Sequence, residues 1–211
     1  MSKTRLIFVI GPTNAGKGAL LDAVTNVDPD GVGLVEVGKL FRAKYLDPKS
    51  PFYDPDYFKG QAAPAHTAAE AWNMMVVGVN ANIVAGRSVI LIDGQPRDVD
   101  QVNGILNEYG RNPTFSVEFA HVYAPESLRQ KRAQVRDAND EAKLKLSMQR
   151  MQGDLIKIYE VLTRLINNGA VVHTIYNDGN TELSTFAHAL LDHELEFGRP
   201  IRSDRLTGAR E

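Results

Sequence analysis

The sequence contains no cysteine, which excludes disulfide bonds, thiolate metal sites and thiol nucleophiles together. No apolar run reaches the roughly 18 residues of a membrane span, and Leu6–Ile10 is too short for the core of a signal peptide. The net charge is only −2, because 24 basic residues nearly balance 26 acidic residues. This balance argues against a basic surface over the whole protein. We therefore expect a cytoplasmic, non-membrane protein with a single domain over residues 1–211.

Apolar runs alternate with helical stretches along the chain, which favours an α/β fold with a parallel five-stranded sheet flanked by helices. The runs are β-branched or apolar and nearly continuous, as in strands that are buried on both faces. The expected strands are Leu6–Ile10, Leu34–Val37, Ser88–Ile92, Ser116–Tyr123 and Ala170–Tyr176. Helices are expected over Gly16–Val27, His66–Ala85, Val99–Glu108 and Thr181–Phe197, and over Pro125–Asn167 as two helices broken near Asp137–Asp140.

Two segments depart from this alternation. Tyr45–Gly60 has three prolines and five aromatic residues, and we expect an irregular excursion there. Its aromatic side chains either pack onto the body of the protein or form a stacking surface for a base. The polar, arginine-containing stretch Gly198–Glu211 is expected to be a mobile tail.

A phosphate-binding loop follows the first strand. The segment from Gly11 to Lys17 has the spacing G-x-x-x-x-G-K, with a strand before it and a helix after it. The glycines let backbone N–H groups surround an anion, the helix points its positive end at the phosphates, and Lys17 adds a cation. The residues expected to bind ATP here are Gly11, Asn14, Ala15, Gly16, Lys17, Gly18 and Ala19.

The hydroxyl that usually follows the lysine and holds Mg²⁺ is missing, because Gly18 and Ala19 stand there. Magnesium can still be held by the nucleotide's phosphates, water and an acid. Asp93, which follows the strand Ser88–Ile92, is the expected acid and acts on the metal through water.

At this point the chain resembles the adenylate kinase-like nucleoside monophosphate kinases, with the matching motifs in the family's order over most of the chain. The motif Gly16-Lys17-Gly18 resembles the family's G-K-G, and Val37–Arg42 resembles T-G-D-x-x-R. The match of Asp93–Arg97 to D-G-F-P-R is the most specific, and Gln101 follows it four residues on. The resemblance implies a P-loop kinase fold and phosphoryl transfer from ATP with Mg²⁺.

The resemblance also implies roles for individual residues. Gly38, Arg42, Arg97 and Gln101 would bind the acceptor, with Gln101 reading its base. The late turn with Gly179 would lie near the donor's adenine. Three arginines on the long helical stretch would reach the donor or the transferring phosphoryl group, namely Arg132, Arg136 and Arg150. The expected catalytic set is Lys17, Asp93, Arg97 and Arg150, with Glu36 added if the acceptor is a hydroxyl.

Departures from the family concern the lid and the acceptor side. Only thirteen residues separate Arg136 from Arg150, so the lid is expected to be a stub at 136–140, and an acceptor-binding insertion is expected at 38–85. Gln95 replaces the aromatic residue of D-G-F-P-R, and Val37 replaces the threonine that faces the acceptor base.

Three functions remain open at this point. The first is transfer of the γ-phosphate of ATP to a nucleoside or deoxynucleoside monophosphate. The second is phosphorylation of a hydroxyl acceptor, such as the hydroxymethyl group of a modified pyrimidine in phage DNA, with Glu36 as the base unless it only pairs with Lys39. The third is a non-catalytic nucleotide-binding module. The sequence does not determine the oligomeric state.

Overall fold

The computed structural model describes residues 3–54 and 65–192 and shows an α/β fold. Its five strands form one all-parallel sheet in the order β2-β3-β1-β4-β5. The strands are β1 (Thr4–Ile10), β2 (Val32–Glu36), β3 (Val89–Asp93), β4 (Phe115–Tyr123) and β5 (Val171–Tyr176). The α/β class and the five-stranded parallel sheet that the sequence predicts are thereby confirmed.

Helices cover both faces of the sheet. They are α1 (Lys17–Val27), α2 (Val37–Tyr45), α3 (Ala65–Val84), α4 (Val99–Ile105), α5 (Glu126–Arg136), α6 (Glu141–Asn167) and α7 (Leu183–Leu191), and a π-helical turn, Leu106–Gly110, follows α4. Among the described residues no helix is long and apolar enough to cross a bilayer.

The alternating side chains of β1 divide the core into two layers. Leu6, Phe8 and Ile10 pack with buried residues of α3, α4 and α6 on one face of the sheet. Ile7 and Val9 pack with α1 and α7 on the other face. Both layers are fully apolar in their centre, which fixes β1 in the middle of the sheet.

Several expected boundaries need correction. Val37 does not end a strand but begins α2, because its side chain and that of Phe41 are buried one turn apart in the core. The helix expected over Val99–Glu108 changes to a π-helical turn at Leu106. The last helix begins at Leu183 instead of Thr181.

The break between α5 and α6 agrees with the sequence. Asp140 caps α6 by accepting a hydrogen bond from the Lys143 backbone N–H at 2.9 Å. Residues 136–140, predicted to be a lid stub, thus form a tight turn between two helices, and their role as a lid stays a prediction. Parts of four predictions lie outside the described residues: the end of the excursion (55–60), part of the insertion (55–64), the end of the last helix (193–197) and the tail (198–211).

Candidate active site

The loop between β1 and α1 requires glycine at two positions. Gly16 has a φ of 98°, and a Cβ on it would lie 2.3 Å from the amide nitrogen of Asn177. A Cβ on Gly11 would lie 2.3 Å from the carbonyl oxygen of Val122, which is main chain and cannot move aside. The helix α1 then begins without a side-chain cap and without an acid in its first turn. Its N-terminal N–H groups are therefore available to an anion.

Lys17 lies at the centre of this loop. Its Nζ donates to the carbonyl oxygens of Gly11 at 2.8 Å and Pro12 at 3.2 Å. Burial lowers the pKa of Lys17, the charges of Asp93 and Asp154 raise it, and the Arg97 charge lowers it. The net direction is downward. Two carboxylates and one guanidinium group thus influence the charge of the same ammonium group.

A cleft of about 320 Å³ opens over the loop at the carboxyl edge of the sheet. Open α/β sheets bind ligands at this edge, at the point where successive strand connections run towards opposite ends of the sheet. Here the chain after β1 continues to β2 on one side of β1, and the chain after β3 continues to β4 on the other side. Lys17, Asp93 and Arg136 all contribute to the wall of the cleft. The lining residues are Thr13, Asn14, Gly16, Lys17, Gly18, Asp93 and Arg136.

The residues around Asp93 fit a magnesium ion that is held mainly by phosphates and water. Its Oδ1 is buried and has no hydrogen-bond partner in residues 3–54 and 65–192. No group of three or more potential metal ligands occurs in those ranges either. Mg²⁺ in phosphate sites commonly takes only one or two carboxylates from the protein, so a single acid is sufficient. Gly18 leaves open space beside the loop, at the position where P-loops have a hydroxyl.

Arg132 supports the loop from beneath. Its guanidinium donates to the carbonyl oxygens of Asn14 at 3.3 Å and Ala15 at 3.0 Å, and to Oδ1 of Asn177 at 3.0 Å. Asn177 in turn donates to the Ala15 carbonyl at 2.9 Å. In this structure the side chain predicted to contact ATP is therefore engaged with the loop's own backbone.

Arg136 is held differently, with one edge of its guanidinium fixed and the other at the cleft. Nε and Nη2 donate to the two carboxylate oxygens of Asp137 at 2.9 and 2.7 Å, while Nη1 reaches Oδ1 of Asn14 at 2.8 Å. Hydrogen bonds from Arg136 and then from Ser147 lower the pKa of Asp137 to about 2. The turn between α5 and α6 thus holds the Arg136 cation beside the loop.

The helix α6 contributes a residue that the sequence analysis missed. Oδ2 of Asp154 accepts hydrogen bonds from both the backbone N–H and the hydroxyl of Thr13. The Met151 sulfur lies 3.5 Å from Nδ2 of Asn14, and Arg150 is exposed one turn before Asp154. Thr13 carries the only hydroxyl between Gly11 and Ala19, and this was the one available signal, although nothing in the sequence linked it to α6.

The residues predicted to bind an acceptor meet where α2 begins beside the turn after β3. A Cβ on Gly94 would lie 3.6 Å from the Gly38 backbone nitrogen and 3.5 Å from Nη2 of Arg97. Arg42 Nη1 is similarly close to Gly38, at 3.5 Å from its ideal Cβ. Neither Arg42 nor Arg97 forms an ion pair within the described part of the chain, and both are exposed. Nε of Arg97 donates to the Gly94 carbonyl oxygen at 2.9 Å. Two guanidinium groups without a carboxylate partner in the described ranges therefore lie at one junction.

Gln101 and Glu36 already have protein partners. Oε1 of Gln101 accepts from the Arg97 backbone N–H at 2.7 Å, and the Gln101 backbone N–H donates to Asp98 at 2.9 Å, so Gln101 belongs to the cap of α4. Glu36 forms an ion pair with Lys39 at 2.5 Å. It also stands in register with Asp93 at the carboxyl edge of the sheet.

Three further residues, Gly179, His121 and Ala19, lie on the segments that follow β5 and β1 or within β4. Gly179, with a φ of 86°, lies in the turn after β5, next to Leu128. Burial, followed by the Lys17 charge, lowers the pKa of His121 to about 4, so this histidine is neutral at physiological pH beside the loop. Ala19 is exposed in the first turn of α1.

No family model matches the sequence, and a search of curated proteins finds no match. Among solved structures, the chain is similar to a "putative kinase" from Chloroflexus aurantiacus J-10-fl. The two share 12% identity over 91% of this chain and 99% of the other, with a TM-score of 0.56, a likeness that shows the fold alone. A Pnkp1/Rnl/Hen1 RNA repair complex matches over 74% of this chain and 47% of its own, at 15% identity and a TM-score of 0.48.

Proposed function

We propose that this protein is a phosphotransferase that moves the γ-phosphate of ATP to a nucleotide acceptor, most simply a nucleoside or deoxynucleoside monophosphate. One observation carries the proposal: the cleft lined by Lys17 and Asp93 adjoins a junction with two guanidinium groups that form no ion pair within residues 3–54 and 65–192. The influence of Arg97 on the pKa of Lys17 links the two sides electrostatically. Phosphoryl transfer between two phosphorylated molecules requires a loop that binds a triphosphate beside a second site that binds an anion.

The mechanism requires positioning and positive charge. An acceptor phosphate oxygen attacks the γ-phosphorus in line, the bond from that phosphorus to the β,γ-bridging oxygen breaks, and ADP leaves. Lys17 and Arg136 neutralise charge on the donor side, and Arg42 and Arg97 hold the acceptor phosphate with planar guanidinium groups. Arg150 reaches the transferring group from α6. Asp93 would help to hold a Mg²⁺ ion through water, and that ion would supply further positive charge beside the phosphates.

The test is transfer of labelled γ-phosphate from ATP with Mg²⁺. The acceptors are each ribo- and deoxynucleoside monophosphate, together with DNA with and without hydroxymethyl pyrimidines. Label on a free monophosphate supports the proposal and identifies the preferred base. ATP binding without label on any acceptor contradicts it and favours the nucleotide-binding module.

A hydroxyl acceptor is the second candidate function, because Glu36 stands beside Asp93 in the sheet register. A hydroxyl benefits from a general base, typically by 10²- to 10⁴-fold, whereas a phosphate oxygen needs none. A pyrimidine in duplex DNA would first have to leave the base stack. The ion pair with Lys39 holds the Glu36 carboxylate and favours the first candidate.

Glu36→Gln distinguishes the two candidates. For a monophosphate acceptor we expect turnover to stay within about threefold of wild type, since only an exposed ion pair is lost. For a hydroxyl acceptor we expect turnover to fall by at least about 100-fold. Turnover is measured on the best acceptor of the panel, and the control variant Lys39→Gln removes the same ion pair but leaves the carboxylate.

Thr13→Val tests the link between α6 and the phosphate loop. The substitution removes one hydrogen bond to Asp154 and keeps the shape and charge of the site. Because a neutral donor contributes a net ~0.5–1.5 kcal/mol, we expect the Kd for ATP to rise about two- to tenfold. Calorimetric titration measures this.

The matched control is Thr25→Val, which removes a hydroxyl bonded to the Leu21 carbonyl at 2.8 Å on α1. It should leave the Kd for ATP unchanged. An unchanged Kd in Thr13→Val as well would show that Asp154 does not support the loop.

A further inference from the structure

The side chain of Gln95 is buried without any hydrogen-bond partner. The residue is 1% exposed, and within residues 3–54 and 65–192 neither Nε2 nor Oε1 has a partner. A buried amide that forms no hydrogen bonds destabilises the folded state, and native proteins leave few such groups. An unpaired donor and acceptor at one position therefore point to a ligand that pairs with them.

The position of Gln95 relates it to the acceptor. It lies midway between Asp93, which lines the cleft, and Arg97, which stands at the acceptor junction. Because consecutive Cα atoms are about 3.8 Å apart, the Cα of Gln95 is within about 8 Å of both. Gln95 is therefore a buried, unpartnered amide that stands in the chain between the cleft and the junction of Arg42 and Arg97.

The other glutamine nearby is already engaged. The Gln101 amide oxygen accepts from the Arg97 backbone, and Gln101 belongs to the cap of α4. Of these two glutamines, Gln95 is thus the one whose amide has both its oxygen and its nitrogen without a partner.

We propose that Gln95 determines which acceptor base is accepted, by pairing its amide with an adjacent hydrogen-bond donor and acceptor on the base edge. The inference rests on the proposed function, since it assumes a nucleobase in the acceptor. An amide presents one acceptor oxygen and two N–H donors, which match the edge of a base bidentately. Because Gln95 is enclosed, the base reaches it only when the elements around the turn separate. A free monophosphate and a base in DNA would offer the same edge.

Gln95→Met tests the proposal, because methionine has nearly the same length and shape but no amide. We expect the melting temperature to stay the same or rise, since replacing an unpaired buried amide by an apolar group is neutral or stabilising. The Kd for the preferred nucleobase ligand should rise at least tenfold, and the preference over other bases should fall at least tenfold. The Kd for ATP should not change.

The matched control is Thr174→Val on β5. Its hydroxyl is also buried without a partner in the described ranges, and β5 is three strands away from β3. This variant should have a similar effect on the melting temperature and none on binding of the nucleobase ligand. A second variant, Gln95→Glu, keeps the acceptor oxygens and removes the donors, and should also weaken the ligand.

Calorimetric titration with monophosphates and with single-stranded oligonucleotides that carry a hydroxymethyl pyrimidine separates the outcomes. If label transfer to a nucleotide occurs but Gln95→Met and Gln95→Glu bind that nucleotide like wild type, the inference is wrong and the proposed function stands. If no transfer occurs but the variants lose binding of a nucleobase ligand, the inference stands without the function. If the wild type binds neither ligand class, the inference is overturned. The ligand class that binds identifies the source of the base.

Discussion

Replacing Lys17 by alanine is expected to lower the turnover of phosphoryl transfer by about 100- to 1000-fold. This is the typical loss when one preorganised donor to a developing negative charge is removed. In the present structure the Lys17 ammonium group is already in the loop, where it donates to the carbonyl oxygens of Gly11 and Pro12. It needs little rearrangement to meet a phosphate. Turnover is measured under saturating ATP and acceptor, so that a change in binding does not imitate a change in rate.

The matched control is Lys3→Ala. Lys3 is exposed just before β1, at the opposite end of the strand from the loop, and its loss should leave turnover unchanged. The melting temperature of Lys17→Ala should also stay close to that of the wild type, because burial disfavours the charged ammonium group that the substitution removes. A folded Lys17→Ala variant with wild-type turnover would show that the cleft is not the site of transfer.

The sheet could be predicted from the sequence because its signal is local. Each strand is a short apolar run, and a parallel sheet buried on both faces requires such runs. The phosphate loop was equally local, since the glycines and Lys17 that shape it lie within one stretch of seven residues. The strands were placed to within a few residues for this reason, whereas phosphate binding by the loop stays a prediction.

The helix α2 was missed although its pattern is present. Val37, Phe41 and Tyr45 recur every four residues, which is a helical spacing, but Val37 also continues the apolar run of β2. The strand was predicted to extend to the end of this apolar run, and it therefore included Val37. Packing decides this boundary, because Val37 is 2% exposed on the first turn of a helix.

The site was harder to predict wherever it depends on contacts between distant segments. Asp154 meets Thr13 across 141 residues of sequence, and no spacing rule connects them. From the sequence, Gln95 was interpreted as a departure from the D-G-F-P-R motif, and Gln101 was predicted to bind the acceptor base. Burial and hydrogen bonding, which only the fold provides, show that Gln101 is engaged and Gln95 is not.

Removing the charge of Glu118 is expected to destabilise the fold more than most single substitutions. Arg5 donates to both Glu118 carboxylate oxygens at 2.9 Å, and both residues are under one-tenth exposed. Arg5 also donates to the carbonyl oxygens of Leu190 and Leu191 at the end of α7. Leaving one member of such a buried pair without its partner costs about 3–5 kcal/mol. We expect Glu118→Gln to lower the free energy of unfolding at pH 7 by about this amount, measured by urea denaturation.

The same carboxylate should make stability depend on acid. Burial alone raises the pKa of Glu118, but hydrogen bonds from His173 and Arg5 outweigh it and lower the pKa to about 2. A carboxyl whose pKa is lower in the folded state stabilises the protein above its unfolded pKa, near 4.5, and loses this contribution as the pH falls towards 2. The difference between wild type and Glu118→Gln should therefore shrink between pH 4.5 and 2. A constant difference over this range would contradict the assignment.

The double variant Arg5→Met with Glu118→Leu separates the ion pair's net contribution from the penalty of an unpaired charge. When both members are replaced by apolar groups of similar size, neither a buried charge nor its desolvation remains. We expect the double variant to be more stable than either single variant, although it still lacks the donor for the α7 carbonyls. Its free energy of unfolding should also lose the acid dependence of the wild type. The single variants Arg5→Met and Glu118→Leu are measured alongside it. If their losses in free energy of unfolding simply add in the double variant, Arg5 and Glu118 do not act as a pair, and the contacts of Arg5 with α7 account for its contribution to stability.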